Sequence, residues 1–412
     1  STSSAGTVEV QIRDTAGQLL GPSSCVDDGL VVQTATTAGI TIPADDQDDR
    51  FIYGSNAFDS FVADPNVIIV DDTFVDSCLS DASLSYSQDD SYRLFVYDTG
   101  LTELGIPKVN GGGTPSITKV VSWGDTSLTA LNAFATDSTN TPKSSLVEVP
   151  DFLPSTVTAL RGTFAYSGPV TGYTSWDVSN VQAFRGVFLD ASNVADLIGW
   201  DVPQAVTLEF MFGYSDFNSA VVSSWDVANV QDFTGMFQGN TDFNQAIGTW
   251  TMSSAKRLDH MFDSADLFNK PINSWDVSNV QSASGMFRDS DAFNQDLDQW
   301  QLTSVTDLSD FLWYTNHYTG NLAWDLGSGT TPALNLSRFL WGKDGSSSYS
   351  GGSNPTGLDS WVTTRVTNLD KFVQNNPTFN GDLSSWDTSN VTSCTEFADG
   401  VSSVTLPTLS GC

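Results

Sequence analysis

Basic residues are scarce in this chain. Its 412 residues include 16 Lys plus Arg and 2 His, against 49 Asp plus Glu, for a formal net charge of −33. A field of that sign repels phosphate backbones and anionic lipid headgroups, so nucleic acid and membrane surfaces are poor partners, while cations are drawn in. No apolar run approaches the roughly 18 residues that cross a bilayer, so no membrane span is expected. The two histidines, His260 and His317, have no partner placed by the sequence for acid–base or metal chemistry. No GxSxG elbow, glycine-rich phosphate loop or HExxH pair occurs, and adjacent carboxylates are expected by composition alone among so many acids. We therefore expect no catalytic residues and no enzymatic activity. Charged residues make up only 16% of the chain, with 39% hydrophobic residues, 25 Phe and 12 Trp, which is the payload of a folded protein and not of an acidic tail.

Cysteine is limited to Cys25, Cys78, Cys394 and Cys412, with no CxxC pair and no histidine beside any of them, which argues against a zinc site. Four cysteines permit three pairings, with four buried free thiols as the alternative. The pairing that keeps each bridge within one region joins Cys25 to Cys78 and Cys394 to Cys412, and it implies an oxidising compartment. A start at Ser1-Thr2-Ser3-Ser4 fits a processed extracellular chain or a shortened one equally well. Asn335-Leu336-Ser337 and Asn390-Val391-Thr392 are glycosylation acceptors if the source is a eukaryote.

What the chain has in abundance is one motif. Tryptophans stand at 176, 200, 225, 250, 275, 300, 324, 361 and 386, in steps of 24 or 25 except for one step of 37. A full copy reads Trp225-Asp226-Val227-Ala228-Asn229-Val230, Phe233, Met236-Phe237, Phe243-Asn244, Ile247, Trp250. Val230, Phe233, Met236 and Phe237 fall on one helical stripe, which predicts a helix of about two turns, with the aspartate after Trp as its cap. Phe243 to Trp250 reads as a short extended segment. Neither element can bury its stripe alone, but stacked copies can, each aromatic falling over its counterpart one repeat away. The asparagines at 218, 244, 269, 294 and 380 each follow Phe. They read either as a stacked ladder satisfying buried backbone groups or as plain turn residues.

The frame Phe-Asn-x-x-Ile-x-x-Trp-Asp-Val-Ser-Asn-Val followed by Met-Phe resembles the BspA-like leucine-rich-repeat family, in its subtype of roughly 25 residues. The resemblance covers about residues 165 to 400, with degenerate copies at Val157–Phe164 and Trp123–Phe134. It implies a solenoid of short strands and short helices, exposed outside the cell and associated with adhesion, and it carries no catalytic residues.

Around that array, residues 1–110 do not repeat. Alternation at Thr7–Ile12, Val67–Val70 and Tyr92–Tyr97 predicts a small all-β domain. Residues 111–116, with Gly111-Gly112-Gly113, form a glycine-rich joint. The repeat array is set at 117–400, with an insertion loop at about 342–355 that is either a neutral loop or a binding one, and residues 401–412 cap it. Asp45, Asp46, Asp48 and Asp49 form the densest acidic cluster, of the ligand type that holds Ca²⁺, though a solvated acidic loop explains it as well. No other cofactor is expected. The function expected is that of an extracellular structural or adhesive surface protein, contacting surface proteins, glycans or other copies of itself and assembling head-to-tail into a filament or array. The alternative is a carbohydrate-binding module on a repeat stalk, with Phe51, Tyr53, Phe58 and Phe61 holding the sugar.

Overall fold

In this computed structural model the described residues are 128–131, 148–329, 332–342, 352–401 and 403–409, together with five short strands between Ile12 and Leu104. The chain divides into two compact units, one of Ser1–Pro115 with Ser122–Thr129, the other of Ser116–Val121 with Ala130–Cys412. In the first, Ile12–Arg13 pairs antiparallel with Leu19–Leu20, and Val67–Asp71 pairs antiparallel with Tyr92–Val96, from Val67 opposite Val96 to Asp71 opposite Tyr92. The glycine-rich joint, most of residues 1–110 and the end of the cap at 410–412 lie outside the described residues.

The second unit follows from a simple requirement: each 25-residue copy exposes a row of backbone donors and acceptors that only another copy can satisfy. Parallel bridges link Ala159 to Ala183, Ala183 to Thr207, Thr207 to Asp232, Asp232 to Arg257, Arg257 to Ser282 and Ser282 to Asp307. Copies therefore lie side by side in one direction and in register. Side chains repeat the same contact. Trp250 stacks on Trp275 at 6.3 Å between ring centroids, Trp275 on Trp300 at 6.3 Å, and Phe237 on Phe262 at 5.7 Å. Each indole N–H is also spent on the preceding copy: Trp275 Nε1 donates to the Ile247 carbonyl at 3.0 Å and Trp300 Nε1 to that of Ile272 at 3.1 Å. Trp225 departs from this, its buried Nε1 having no hydrogen-bond partner, as is also true of Trp313 and Trp341 outside the motif.

The expected short helix is not there; among the described residues there is no α-helix, only turns and three short 3₁₀ segments. In the copy around Met236, the N–H groups of Phe233, Gly235, Phe237 and Gly239 donate across to the carbonyls of Arg257, Asp259, Met261 and Asp263 at 2.7–3.0 Å. The N–H groups between them turn inward, Met236 to Phe233, Gln238 to Gly235 and Asn240 to Phe237, each at 3.0–3.1 Å. Successive four-residue turns place Phe233, Met236 and Phe237 on one side, as a helix would, so the apolar stripe alone does not distinguish the two. The turns need a left-handed residue every fourth position, and Gly235 (φ +59°) and Gly239 (φ +65°) supply it, a conformation incompatible with a continuing right-handed helix. The aspartates after Trp accordingly cap no helix: Asp226 Oδ1 accepts from Ala228 N at 3.1 Å and Asp276 Oδ1 from Ser278 N at 3.2 Å, closing a two-residue turn.

The step of 37 between Trp324 and Trp361 divides differently from expectation. Bridges run from Asp307 to Asn335 and on to Asn368, so extra residues enter both before Leu334 and after Gly342, not only at 342–355. Trp324 still stacks on Trp361 at 5.4 Å, and Phe311 on Phe339 at 5.3 Å. The buried Arg365 fills the irregularity, its guanidinium donating to the carbonyls of Pro332 (2.8 Å), Thr303 (2.9 Å), Leu326 and Val305. Burial holds that guanidinium below its usual range.

Candidate interaction face

The turn run of each copy carries a column in which the residue changes from copy to copy. Its first left-handed position is held in turn by Gly162, Gly186, Phe210, Gly235, His260, Gly285, Asp310, Arg338, Lys371 and Glu396. Glycine is favoured there by conformation, yet six other residue types accept the strain, costing of order 1 kcal/mol each. Neighbours compensate in size. The Phe210 ring lies over Gly235, and the Tyr214 ring over Gly239, where any Cβ would collide with it. His260 covers Gly285 in the same way, with its Nδ1 at 3.1 Å from Asp263 Oδ2. The sequence placed His260 in register with Gly235 and Gly285; the structure shows that this register is a column on the surface of the turns.

Three positions further on, a second column binds copy to copy. Gln238 Nε2 donates to Asp263 Oδ2 at 3.0 Å and Arg288 Nε to Asp263 Oδ1 at 3.1 Å, while the Arg288 guanidinium lies 5.0 Å from the Trp313 ring centre. Trp313 stacks on Trp341 at 5.2 Å, Lys371 Nζ sits 5.0 Å over Trp341, and Lys371 reaches Glu396 at 3.0 Å. Two of the chain's few cations are thus drawn to one face, because aromatic rings and carboxylates of adjacent copies stand one repeat apart. Arg338 joins them, paired to Asp310 at 2.5 Å.

Where the columns hold glycine and small residues the face is hollow. A shallow groove of about 730 Å³ runs over Gly162 and Gly186, walled by Tyr166, Phe210 and Tyr214 with Arg161, Arg185 and Leu189. Tyr214 is 53% exposed. Arg185 pairs with Glu209 at 3.3 Å. Aromatic rings, guanidinium groups and an amide (Gln238) around a glycine floor form a surface that binds by stacking and hydrogen bonding. This groove was not read from the sequence, since the turn positions that line it fall between the apolar residues that define the motif. Aligning every copy on its tryptophan and asking which positions admit glycine beside bulky residues is the signal that finds it.

The Phe-Asn corners of successive copies form a regular ladder. Asn218 Oδ1 accepts from Asn244 N (3.0 Å), Asn244 Oδ1 from Asn269 N (3.1 Å), and Asn269 Oδ1 from Asn294 N (3.0 Å), a ladder that continues to Thr319 N at 2.7 Å. It runs near the surface, not among buried groups as expected. Asn390 belongs to a further ladder, donating Nδ2 to the Thr364 carbonyl at 3.0 Å, as Asn279 does to Ser253 at 2.9 Å. Asn335 Nδ2 donates to Asp307 Oδ1 at 3.1 Å. Both glycosylation candidates therefore have their amide nitrogens engaged between copies.

Cys394 is disulfide-bonded. Cys25, Cys78 and Cys412, the acidic cluster Asp45, Asp46, Asp48 and Asp49, and the aromatics Phe51, Tyr53, Phe58 and Phe61 lie outside the described residues. Among the described residues no group of three or more His, Cys, Asp or Glu is arranged to hold a metal ion. No helix there is long and apolar enough to cross a membrane.

A family model described as "Mycoplasma protein of unknown function, DUF285" matches residues 140–222, 158–266, 207–325 and 346–406. Together these segments span more than half of the chain and all of the well-formed copies. No curated protein and no solved structure matches the chain.

Proposed function

The chain belongs to the DUF285 family, and from that premise we propose that it is an extracellular structural or adhesive surface protein, its repeats forming a solenoid of the BspA-like leucine-rich type, which binds partners through the turn face and catalyses no reaction. One observation carries this reading: the first left-handed position of the turn run is filled by Gly, Phe, His, Asp, Arg, Lys or Glu in successive copies, over a backbone ladder that stays the same. A backbone ladder that tolerates so many residue types at one position leaves that position free to vary for recognition. The groove walled by Tyr166, Phe210 and Tyr214 lies on this face. Assembly of copies head-to-tail, through residues 1–110 or the ends of the array, completes the proposal.

The aromatic lining of the groove favours glycans among the partners; the second reading, a carbohydrate-binding module on a repeat stalk, puts the sugar on Phe51, Tyr53, Phe58 and Phe61 instead. Adhesion of beads coated with the full-length chain to glycan-coated and protein-coated surfaces tests both. We expect Tyr214→Ala with Arg185→Ala to lower adhesion at least tenfold with thermal stability unchanged. Adhesion that survives this pair but is lost in Phe51→Ala with Tyr53→Ala would favour the second reading. Absence of adhesion to every surface would end both.

A further inference from the structure

We propose that the groove over Gly162 and Gly186 takes an acidic sugar residue carried by an otherwise neutral glycan, with Arg161 and Arg185 holding its anionic group. The inference rests on the proposed adhesive turn face and deepens it by naming the ligand class of that groove. Its first ground is where the cations stand. Between Lys143 and Lys256 the only basic residues are Arg161 and Arg185, against eleven Asp and Glu, and both of them line the groove. Each directly precedes the first left-handed residue of its turn run, a place held in the later copies by Ser, Thr, Asp or Glu and by no other cation. The backbone ladder runs unchanged through those copies, so stacking does not require a cation there.

The second ground is geometry. Gly162 N donates to the Arg185 carbonyl at 2.8 Å, which makes these two rungs neighbours. Adjacent rungs of such a ladder lie about 4.8 Å apart, close enough for two guanidinium groups to meet on one carboxylate or sulfate. Both arginines are exposed. Arg185 Nε lies 3.3 Å from Glu209 Oε2, its only ion pair among the described residues. That contact holds the guanidinium through one nitrogen and leaves its two terminal nitrogens for a ligand.

The rest of the groove suits the neutral part of a sugar. Tyr166, Asp190 and Tyr214 share the second left-handed column, four residues beyond Gly162, Gly186 and Phe210. They line the groove across its glycine floor from the arginines. The rings there offer stacking surface, and the Asp190 carboxylate can accept from hydroxyls while repelling an anion, which directs the acidic group to the arginine side. A densely charged polymer fits poorly, because only these two cations oppose a chain charge of −33. One acid on a neutral glycan meets both arginines without meeting that field along its whole length.

The test is calorimetric titration of the full-length chain with matched tetrasaccharides, ending in glucuronate or glucose and in galacturonate or galactose. In at least one pair the acidic member should bind at least tenfold more tightly, and the ratio should shrink at high ionic strength. Arg161→Gln with Arg185→Gln should bring the members of that pair within twofold of each other, and Tyr214→Ala should weaken both. Tetraglucuronate should bind less tightly than the singly charged tetrasaccharide; tighter binding overturns the single-acid assignment. Equal affinity within both pairs overturns the acid preference and leaves glycan binding by the groove standing. A preference that survives the double arginine variant places the acid elsewhere. If no sugar binds, the inference fails, and loss of bead adhesion to protein-coated surfaces in Tyr214→Ala would then show the turn face to be adhesive without it.

Discussion

The copies from Trp225 to Trp300 and the stretch from Trp324 to Trp361 solve the same problem under different constraints. In the first, a strict period puts every ring, amide and carbonyl over its counterpart, and no residue has to adapt. In the second, extra residues would carry carbonyls out of register, and one buried cation gathers four of them: Arg365. The Trp324–Trp361 and Phe311–Phe339 stacks are kept across the interruption. Periodicity is thus dispensable where the aromatic columns stay in contact and the displaced backbone finds donors.

The sharpest way to break the regular region is Trp275→Ala. Trp275 is buried, stacked on both neighbours and bonded to Ile247, so its loss should cost about 3–5 kcal/mol in chemical denaturation. A cost within about 1 kcal/mol of zero would place the ring on the surface. In the irregular region, Arg365→Met keeps volume but leaves four carbonyls without donors, and we expect about 3 kcal/mol or more, by the penalty for unsatisfied buried groups. The same change at Arg185, on the surface, should be nearly silent in the same melt.

A pH titration separates the early copies from the rest. Burial raises the Tyr173 phenol from 10.0 to about 12, and Tyr318, between copies further on, is also pushed well above its usual value by burial. The folded state holds these protons more tightly than the unfolded chain. Their contribution is therefore complete below pH 10 and is lost as pH rises from about 10 through about 12. For Tyr173 that amounts to about 2–3 kcal/mol, and Tyr173→Phe should flatten that part of the pH–stability curve. The smallest expected effect belongs to the asparagine ladder. Asn269→Ala removes one acceptor near the surface and should cost about 1 kcal/mol, with the same change at Asn244 equal to it within error.

Much of the array was legible before any coordinates. The period, the burial of Trp and Phe, and the register of His260 with Gly235 and Gly285 all follow from aligning copies. The error in reading Phe233–Phe237 as a helix has a particular cause. An i, i+3, i+7 stripe is shared by a helix and by a chain of four-residue turns, and the evidence against the helix, Gly235 with Gly239, is visible only in some copies. At the equivalent places other copies carry Phe210 and Tyr214, or His260 and Ser264, which gave no warning of a left-handed backbone. The groove was missed because the turn positions that line it fall between the apolar residues that define the motif.

By itself the sequence determined that copies must stack, since a 25-residue unit with its Phe and Trp stripes has nothing else to bury them against. It also determined the acidic, cation-poor surface. The tertiary structure alone decided where the backbone hydrogen bonds go. Alternate N–H groups cross to the next copy in place of closing a helix within their own, because a parallel neighbour one repeat away satisfies donors that an isolated turn cannot. That choice sets the left-handed turn positions of successive copies in one column.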